Sequence, residues 1–253
     1  MLSDNELIKG LEQCGIKDND LVMVHSSYKS LGGVDGGAET VVNAFTELVN
    51  PKGAVFFPTY TIDAWCGRQY FDIAETPSEM GAITENARNM PGAFRTKHPI
   101  HSFSVLGAYR YAFQFDNRES FAPDSPYGYF HRENGLVISI GVPWNDTFSF
   151  VHYCEQAGRA EFRRKKNFAG IYMSGWGIPT LESYQMSVRK TQRHVTNVAP
   201  LYDEVLVPEG VVKQCQVGAA TVSYFRCQEY FEAVTPLVKS RPELFHYVKG
   251  WQA

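Results

Sequence analysis

The sequence predicts an α/β fold, and three observations lead to that fold class. Strand-like and helix-like segments alternate along the 253 residues, of which 44% are hydrophobic. The first sixty residues contain, in order, a strand, a glycine-rich loop, a helix, a turn and a strand, which is the order of a βαβ unit. No linker rich in Pro, Gly or Ser divides the chain. We therefore expect one elaborated domain over residues 1–253.

The N-terminal elements have clear local signals. Ser3 and Glu6 stand at capping-box spacing before an apolar helix face that ends at Gly15. A continuous apolar run then predicts a buried strand. The elements predicted after this first helix are a strand at 21–25, a helix at 36–50, a turn at 51–53 and a strand at 54–60.

The remaining chain is less regular in its pattern. Residues 61–78 show no period and predict a long functional loop or a cover over a site. Residues 162–217 are irregular and strand-like, so we expect an irregular, substrate-side segment at about 160–215. The other predicted elements are a helix at 79–90, a strand at 101–107, a short helix and turn at 125–135, a strand at 136–142, a short helix at 148–158 and a helix at 219–234 that ends near Pro236.

Composition excludes several classes of protein. The net charge of −3 and the pI of about 6.2 argue against a nucleic-acid partner. The basic run at 163–166 favours a solvated strand edge over a docking site for an anionic ligand. Five widely spaced cysteines without a CxxC pattern argue against a zinc ribbon. A polar N-terminus and the lack of a long apolar run predict a cytoplasmic protein with reduced thiols and no membrane partner.

The loop "HSSYKSLGGVDGG" at 25–37 follows a strand and precedes a helix. Backbone N–H groups freed by glycine conformations near a helix N-terminus bind phosphate oxygens, and Lys29 adds a charge. The loop matches neither a dinucleotide-binding nor a Walker pattern. From spacing alone, a phosphate site and an ordinary connection with turn glycines are equally supported.

His152 and Glu155 stand three residues apart in a predicted helix, and therefore on one face. A metal site needs a further ligand, and neither His98, His101 nor Asp63 stands at a diagnostic spacing. The pair could instead be a catalytic base with its partner, or two buried polar groups that satisfy each other. Spacing alone favours the structural pair.

Five segments in this order resemble one family, the aminoglycoside 3-N-acetyltransferases. The segments are "VMVHSSYKSLGGVDGGAETVVNAF", "GAVFFPTYT", "RTKHPIHSFSVLG", "DSPYGYFHRENGLVISIGVPWNDTFSFVHYCE" and "VGAATVSYFRCQEYF". They extend from about residue 20 to the C-terminal helix. The resemblance implies a mixed-sheet α/β/α sandwich and an enzyme that transfers acetyl from acetyl-CoA to an amino group of an amino sugar, without a metal.

The resemblance also implies roles for individual residues. His152 is the expected general base and Glu155 its partner, while Thr147 and Ser149 are hydroxyls able to donate to the thioester oxyanion; Ser149 replaces a usual Thr. The expected acetyl-CoA contacts are His25, Ser26, Ser27, Lys29, Ser30, Leu31, Gly32, Gly33, His98, Ser102 and Phe103. The expected acceptor contacts are Tyr60, Asp63 and Glu155. Transfer is expected to be direct, because the Cys154 side chain would point about 100° or more away from its neighbours on the helix.

The sequence departs from the family pattern after Glu155. Resistance members often carry acidic residues there, whereas this chain has "EFRRKKNFAGIYMSGWG". Two acceptors stay open: an aminoglycoside, or an anionic, nucleotide-linked amino sugar if the basic run faces the pocket. The other hypothesis is a non-catalytic CoA-binding module or a metal-dependent hydrolase on the same fold. Either a monomer or a homodimer is compatible with the sequence.

Overall fold

The computed structural model describes residues 1–108 and 113–248, and its centre is a mixed sheet of seven strands. The spatial order is β10-β11-β6-β1-β2-β5-β4. These strands are β1 (Leu21–Ser26), β2 (Ala54–Pro58), β4 (Phe94–Arg95), β5 (Phe103–Gly107), β6 (Leu136–Ile140), β10 (Lys213–Val217) and β11 (Ala220–Arg226).

Six α-helices cover the two faces of this sheet. One face packs α1 (Asp4–Gln13), α2 (Gly37–Leu48) and α3 (Ala82–Asn89); the other packs α4 (Pro126–Arg132), α5 (Phe150–Ala157) and α6 (Cys227–Ser240). Successive strand residues alternate between the two cores: Val22 lies in the first and Met23 in the second. The predicted α/β/α sandwich is confirmed.

The N-terminal βαβ prediction is also confirmed. Strand β1 pairs in parallel with β2 and with β6, while the outer strands run antiparallel. In α1, the Ser3 side chain accepts from the Glu6 N–H, and the Glu6 carboxylate accepts from the Ser3 N–H, as the capping box predicts. Because β1, β2 and β6 are parallel, their carboxyl ends meet at one edge of the sheet, where α/β proteins usually bind ligands.

The prediction of reduced thiols is wrong for two of the five cysteines. Cys14 at the end of α1 forms a disulfide with Cys215 of β10, with 6.1 Å between their Cα atoms. The two lie 201 residues apart in sequence, and only the packing of α1 against β10 brings them together. Cys66, Cys154 and Cys227 are free thiols.

Much of the segment predicted to be irregular is a regular hairpin. Strand β7 (Arg163–Met173) pairs antiparallel with β8 (Pro179–Arg189) along the whole length of both strands. The basic run begins β7, and its last three residues are exposed. The segment 61–78 likewise contains a short π-helix, Asp63–Gly67, and β3 (Tyr70–Asp72), which pairs with β7. Strands β9 (His194–Thr196) and β12 (His246–Val248) form a separate two-stranded sheet.

The predicted helix at 219–234 is wrong at both ends. Its first part is β11, which pairs with β6, and α6 begins only at Cys227. The helix then continues past Pro236 to Ser240 because buried Val234 and Val238 extend its apolar face. Within the described residues, 1–108 and 113–248, no helix combines the length and apolar character needed to cross a bilayer.

Candidate active site

A cavity of about 430 Å³ lies at the carboxyl ends of β1, β2 and β6. Six of the predicted site residues line it together: His25, Ser26, Tyr60, Thr147, Ser149 and His152. The parallel strands explain this convergence, because the chain segments that follow them all leave the sheet at the same edge. A cavity of about 490 Å³ at the opposite edge, beside Asp20 and Arg226, contains none of the predicted residues.

His152 and Glu155 form a close pair on α5. The Nδ1 atom of His152 lies 2.7 Å from Oε2 of Glu155. The Glu155 side chain is fully enclosed, whereas 27% of the His152 side chain is exposed and its ring lines the cavity. A carboxylate at this distance accepts a hydrogen bond from the Nδ1–H group, so the lone pair of the neutral ring resides on Nε2.

Arg163 completes this group, and sequence reasoning missed it. Its Nε lies 3.0 Å from Oε2 of Glu155, and its Nη2 lies 3.3 Å from Oε1. Burial would raise the pKa of the Glu155 carboxyl, but His152 and Arg163 outweigh burial and lower this pKa below its ordinary value. Arg163 is half-buried whereas the three basic residues after it are exposed, so no periodicity within the run distinguishes it in the sequence.

Nη2 of Arg163 also lies 3.1 Å from Nδ1 of His152. Nδ1 cannot accept from Arg163 while it donates to Glu155. The shorter, charge-assisted contact with the carboxylate decides the tautomer, and Nη2 has an alternative acceptor in Oε1 of Glu155.

The hydroxyl groups beside His152 differ in their partners. The buried Thr147 donates its proton to Oγ of Ser139 on β6. Ser149, at the start of α5, hydrogen-bonds the phenol of Tyr60, and the Tyr60 and Tyr127 hydroxyls contact each other. Burial raises the pKa of Tyr60 far above its ordinary value, so the phenol keeps its proton. Ser149 and Tyr60 are therefore hydroxyl groups that face the cavity.

His25, the penultimate residue of β1, is a neutral ring on the cavity wall. Burial lowers the pKa of His25 to about 4, and its Nε2 atom is buried without a hydrogen-bond partner among the described residues. An unpaired buried polar atom is costly, so a ligand that reaches this nitrogen would gain a bond that the protein leaves unmade.

The glycine-rich turn lies beside the cavity wall but contributes little to it. Tyr28–Leu31 form a 3₁₀ turn, in which Ser30 Oγ donates to the Ser27 carbonyl at 2.7 Å. The turn ends at Gly32, where φ is +79°. Ser26 lines the cavity; the predicted contacts that do not line it are Ser27, Lys29, Ser30, Leu31, Gly32 and Gly33. Their contact with a cofactor stays a prediction.

His98, Ser102 and Phe103 are buried and do not line this cavity. Ser102 Oγ donates to the Thr59 carbonyl at 2.6 Å. Burial lowers the pKa of His98 to about 3. Cofactor contact by these three residues stays a prediction, and His101 is the member of their segment that lines the cavity.

The cavity is acidic. Glu79 and Asp146 line it, and neither Lys nor Arg does so among the described residues. Glu79 also accepts from the N–H groups of Asp63 and Ala64, both at 2.9 Å. The predicted contact Asp63 is outside the lining and forms an exposed ion pair with Arg68.

The basic run does not enter the cavity. Arg163 is bound by Glu155, and Lys165 lies 2.7 Å from Glu119. Arg164 and Lys166 are exposed. Across the described ranges, no group of three or more His, Cys, Asp or Glu residues is arranged to hold a metal ion.

Comparison with known proteins places this geometry in a family. The sequence profile of the family described as aminoglycoside 3-N-acetyltransferase matches residues 23–239. A relative from Streptomyces fradiae, aminoglycoside N(3)-acetyltransferase VIII, is 30% identical over 185 residues. That alignment covers 62% of this chain and 62% of the relative, so the chain matches less than two thirds of that relative's length.

Solved structures share the fold over almost the whole chain. A structure described as AAC-IIIb binary with CoASH has a TM-score of 0.79 at 20% identity and covers 94% of this chain and 97% of its own. A structure described as AAC-VIa bound to sisomicin has a TM-score of 0.79 at 21% identity. The match covers 94% of this chain and 98% of the sisomicin-bound protein. The profile match spans most of the sequence, and the chain belongs to the aminoglycoside 3-N-acetyltransferase family.

Proposed function

We propose that this chain transfers the acetyl group of acetyl-CoA to an amino group of an aminoglycoside, with His152 as general base. The observation that carries the proposal is the 2.7 Å contact between His152 Nδ1 and the buried Glu155, on a ring that lines an acidic cavity. Membership of the family supports the activity. The related structures described with CoASH and with sisomicin support the two substrate classes.

The proposed reaction forms a C–N bond and breaks a C–S bond. A sugar ammonium has no lone pair, so one proton must leave before or during attack on the acetyl carbonyl. That first proton is lost to solvent; His152 Nε2 then accepts a second proton from the nitrogen as it attacks, and Glu155 stabilises the ring as it becomes charged. The proton then passes to the departing thiolate, which regenerates the neutral ring. Such catalysis contributes about 10²–10⁴-fold.

Residues of the cavity wall suit the other demands of the reaction. Ser149 and Tyr60 present hydroxyls that can donate to the carbonyl oxygen as it gains charge. Ser26 and the unpaired Nε2 of His25 lie at the end of β1. They fit the amide groups of a pantetheine chain, which would satisfy the buried nitrogen.

The charge of the cavity favours a cationic acceptor. Asp146 would attract the ammonium groups of an aminoglycoside and would repel the diphosphate of a nucleotide-linked amino sugar; Glu79 adds to this charge less strongly, because Arg68 lies 3.7 Å from it. The basic run, which suggested an anionic acceptor, lies outside the cavity. The cytoplasmic location and the choice between monomer and homodimer stay predictions.

The test is a panel of acceptors with the purified chain. Release of the CoA thiol is measured with several aminoglycosides and with nucleotide-linked amino sugars, beside calorimetry with CoA. We expect thiol release with aminoglycosides and a several-fold lower kcat/KM for Asp146→Asn. Glu12→Gln, on an exposed face of α1, removes the same charge away from the cavity and controls for net charge. CoA binding without transfer to any acceptor would contradict the proposed activity.

A further inference from the structure

Arg163 occupies a position that suits a role in tuning the base. It reaches Glu155 from β7 and lies close to both the carboxylate and the His152 ring. Only 10% of its side chain is exposed. Burying a guanidinium carries a desolvation cost that its ion pair only partly offsets, so stability alone does not account for Arg163 at this position.

The two contacts of Arg163 involve both carboxylate oxygens. Nη2 donates to Oε1 at 3.3 Å, while Nε lies 3.0 Å from Oε2 as an ion-pair contact that lacks the alignment of a hydrogen bond. The guanidinium thus ties Oε1 by a hydrogen bond and faces Oε2 with its charge, while Oε2 lies against Nδ1 of His152. A lysine supplies the charge at one point but cannot reproduce this fork.

The charge of Arg163 acts on His152 as well. A carboxylate beside an imidazole favours the charged ring, and a charged ring cannot accept a proton. Arg163 balances the charge of Glu155 and lies 3.1 Å from Nδ1 of His152 itself. A cation at this position disfavours a second positive charge on the ring.

The other titratable groups near the pair carry no charge that offsets the charge of Glu155. The titratable groups that interact with the pair from elsewhere are His101, Cys154, Tyr202, Tyr230 and His246. Burial lowers the pKa of the two histidines and raises the pKa of the thiol and the phenols. All five are therefore neutral near pH 7.

We infer that Arg163 is a positioning residue: it orients Glu155 and keeps the His152 ring neutral, so that Nε2 is available as a base. This inference rests on the proposed function of His152. The fork supplies the orientation and the cation supplies the electrostatic bias. The two contributions can be separated by substitution.

The experiment compares pH profiles of kcat/KM for four variants. Arg163→Met removes fork and charge, Arg163→Gln keeps a donor without charge, and Arg163→Lys keeps charge without the fork. Arg164→Met is the matched control, since this neighbour is exposed on the opposite side of β7. We expect the acid limb to move up by about one pH unit in Arg163→Met and Arg163→Gln, and by less in Arg163→Lys. No movement is expected in Arg164→Met.

An NMR titration of the His152 side chain in the same proteins makes the inference independent of turnover. If wild-type protein transfers no acetyl group, the proposed function fails while this titration still tests Arg163. Ring protonation should begin at higher pH in Arg163→Gln than in wild type. Circular dichroism identifies variants that do not fold, and Arg163→Lys then serves as the conservative replacement. An acid limb and a ring titration unchanged in Arg163→Gln would overturn the inference.

Discussion

His152 and His98 are both histidines with a hydrogen-bond partner, yet the structure places them in opposite situations. His152 is paired with a carboxylate and lines a cavity. His98 is 1% exposed; its Nδ1 accepts from the His101 N–H at 3.3 Å, and its Nε2 lies 3.4 Å from a serine hydroxyl. The difference shows that a partner alone does not make a base. An ionised partner and access to the substrate are both required.

Burial has the opposite consequence at the two sites. Around His98, burial lowers the pKa and keeps a neutral ring as part of the core. In the His152 pair the buried group is Glu155, and the contacts with His152 and Arg163 keep that carboxylate ionised. The cost of burying a charge is thus placed on the partner, while the ring that handles the proton stays accessible.

Removing the base should give the largest effect. We expect His152→Gln to lower kcat by about 10²–10⁴-fold, because the proton of the attacking amine has no acceptor. The affinity for CoA should stay within about threefold, measured by calorimetry, since a neutral side chain of similar polarity remains on the wall. Loss of CoA binding together with activity would instead indicate a structural role for this ring.

Substitutions of the two hydroxyl residues before α5, Thr147 and Ser149, should differ in their effect on kcat. Ser149→Ala should lower kcat by about 10²-fold, the cost of one donor to an oxyanion. Thr147→Val should have a smaller effect on kcat, because the Thr147 proton is already committed to Ser139. Its main effect should be on stability, about 1–3 kcal/mol in chemical denaturation, since Ser139 loses a buried partner. The reverse order of the two kcat values would assign the oxyanion contact to Thr147.

The last expected effect is on stability rather than on turnover, and it concerns pH and the buried histidines. The pKa of His25 is lowered to about 4, that of His98 to about 3, and that of His101 well below its ordinary value. Below about pH 6.5 these rings become protonated in the unfolded chain but stay neutral in the folded chain. The free energy of unfolding should therefore decrease as the pH is lowered below about 6.5, by up to about 1.4 kcal/mol per pH unit for each ring.

His98→Asn isolates one of these rings. The slope of unfolding free energy against pH, measured by urea denaturation between about pH 6 and pH 4, should decrease by about one proton. An unchanged slope would mean that His98 does not titrate as a buried neutral ring. A raised KM for acetyl-CoA in this variant would support the sequence-based prediction that His98 contacts the cofactor.

Local signals in the sequence predicted local structure well. The Ser3–Glu6 capping box and the apolar run of β1 depend only on neighbouring residues, and both were predicted correctly. Strand β11 was predicted as a helix because its strand character comes from pairing with β6, about eighty residues earlier. The layered sandwich followed from the resemblance to a family, not from periodicity.

The site shows the same division between local and distant information. Spacing placed His152 and Glu155 on one helix face, and the structure confirms their contact. Arg163 could not be identified from spacing, because its contact depends on the turn that brings the start of β7 back to Glu155 after α5 ends. The Cys14–Cys215 disulfide was likewise beyond reach, since 201 residues separate the two thiols.

The proposed reaction requires His152 Nε2 to accept a proton from the attacking amine. The most direct test is a crystal structure of the chain with an aminoglycoside and a non-transferable analogue of acetyl-CoA. We expect an amine nitrogen within about 2.6–3.2 Å of Nε2, with the acyl carbon beside it at the end of β1. An acceptor amine held far from this nitrogen, with the acyl group in another cavity, would contradict it.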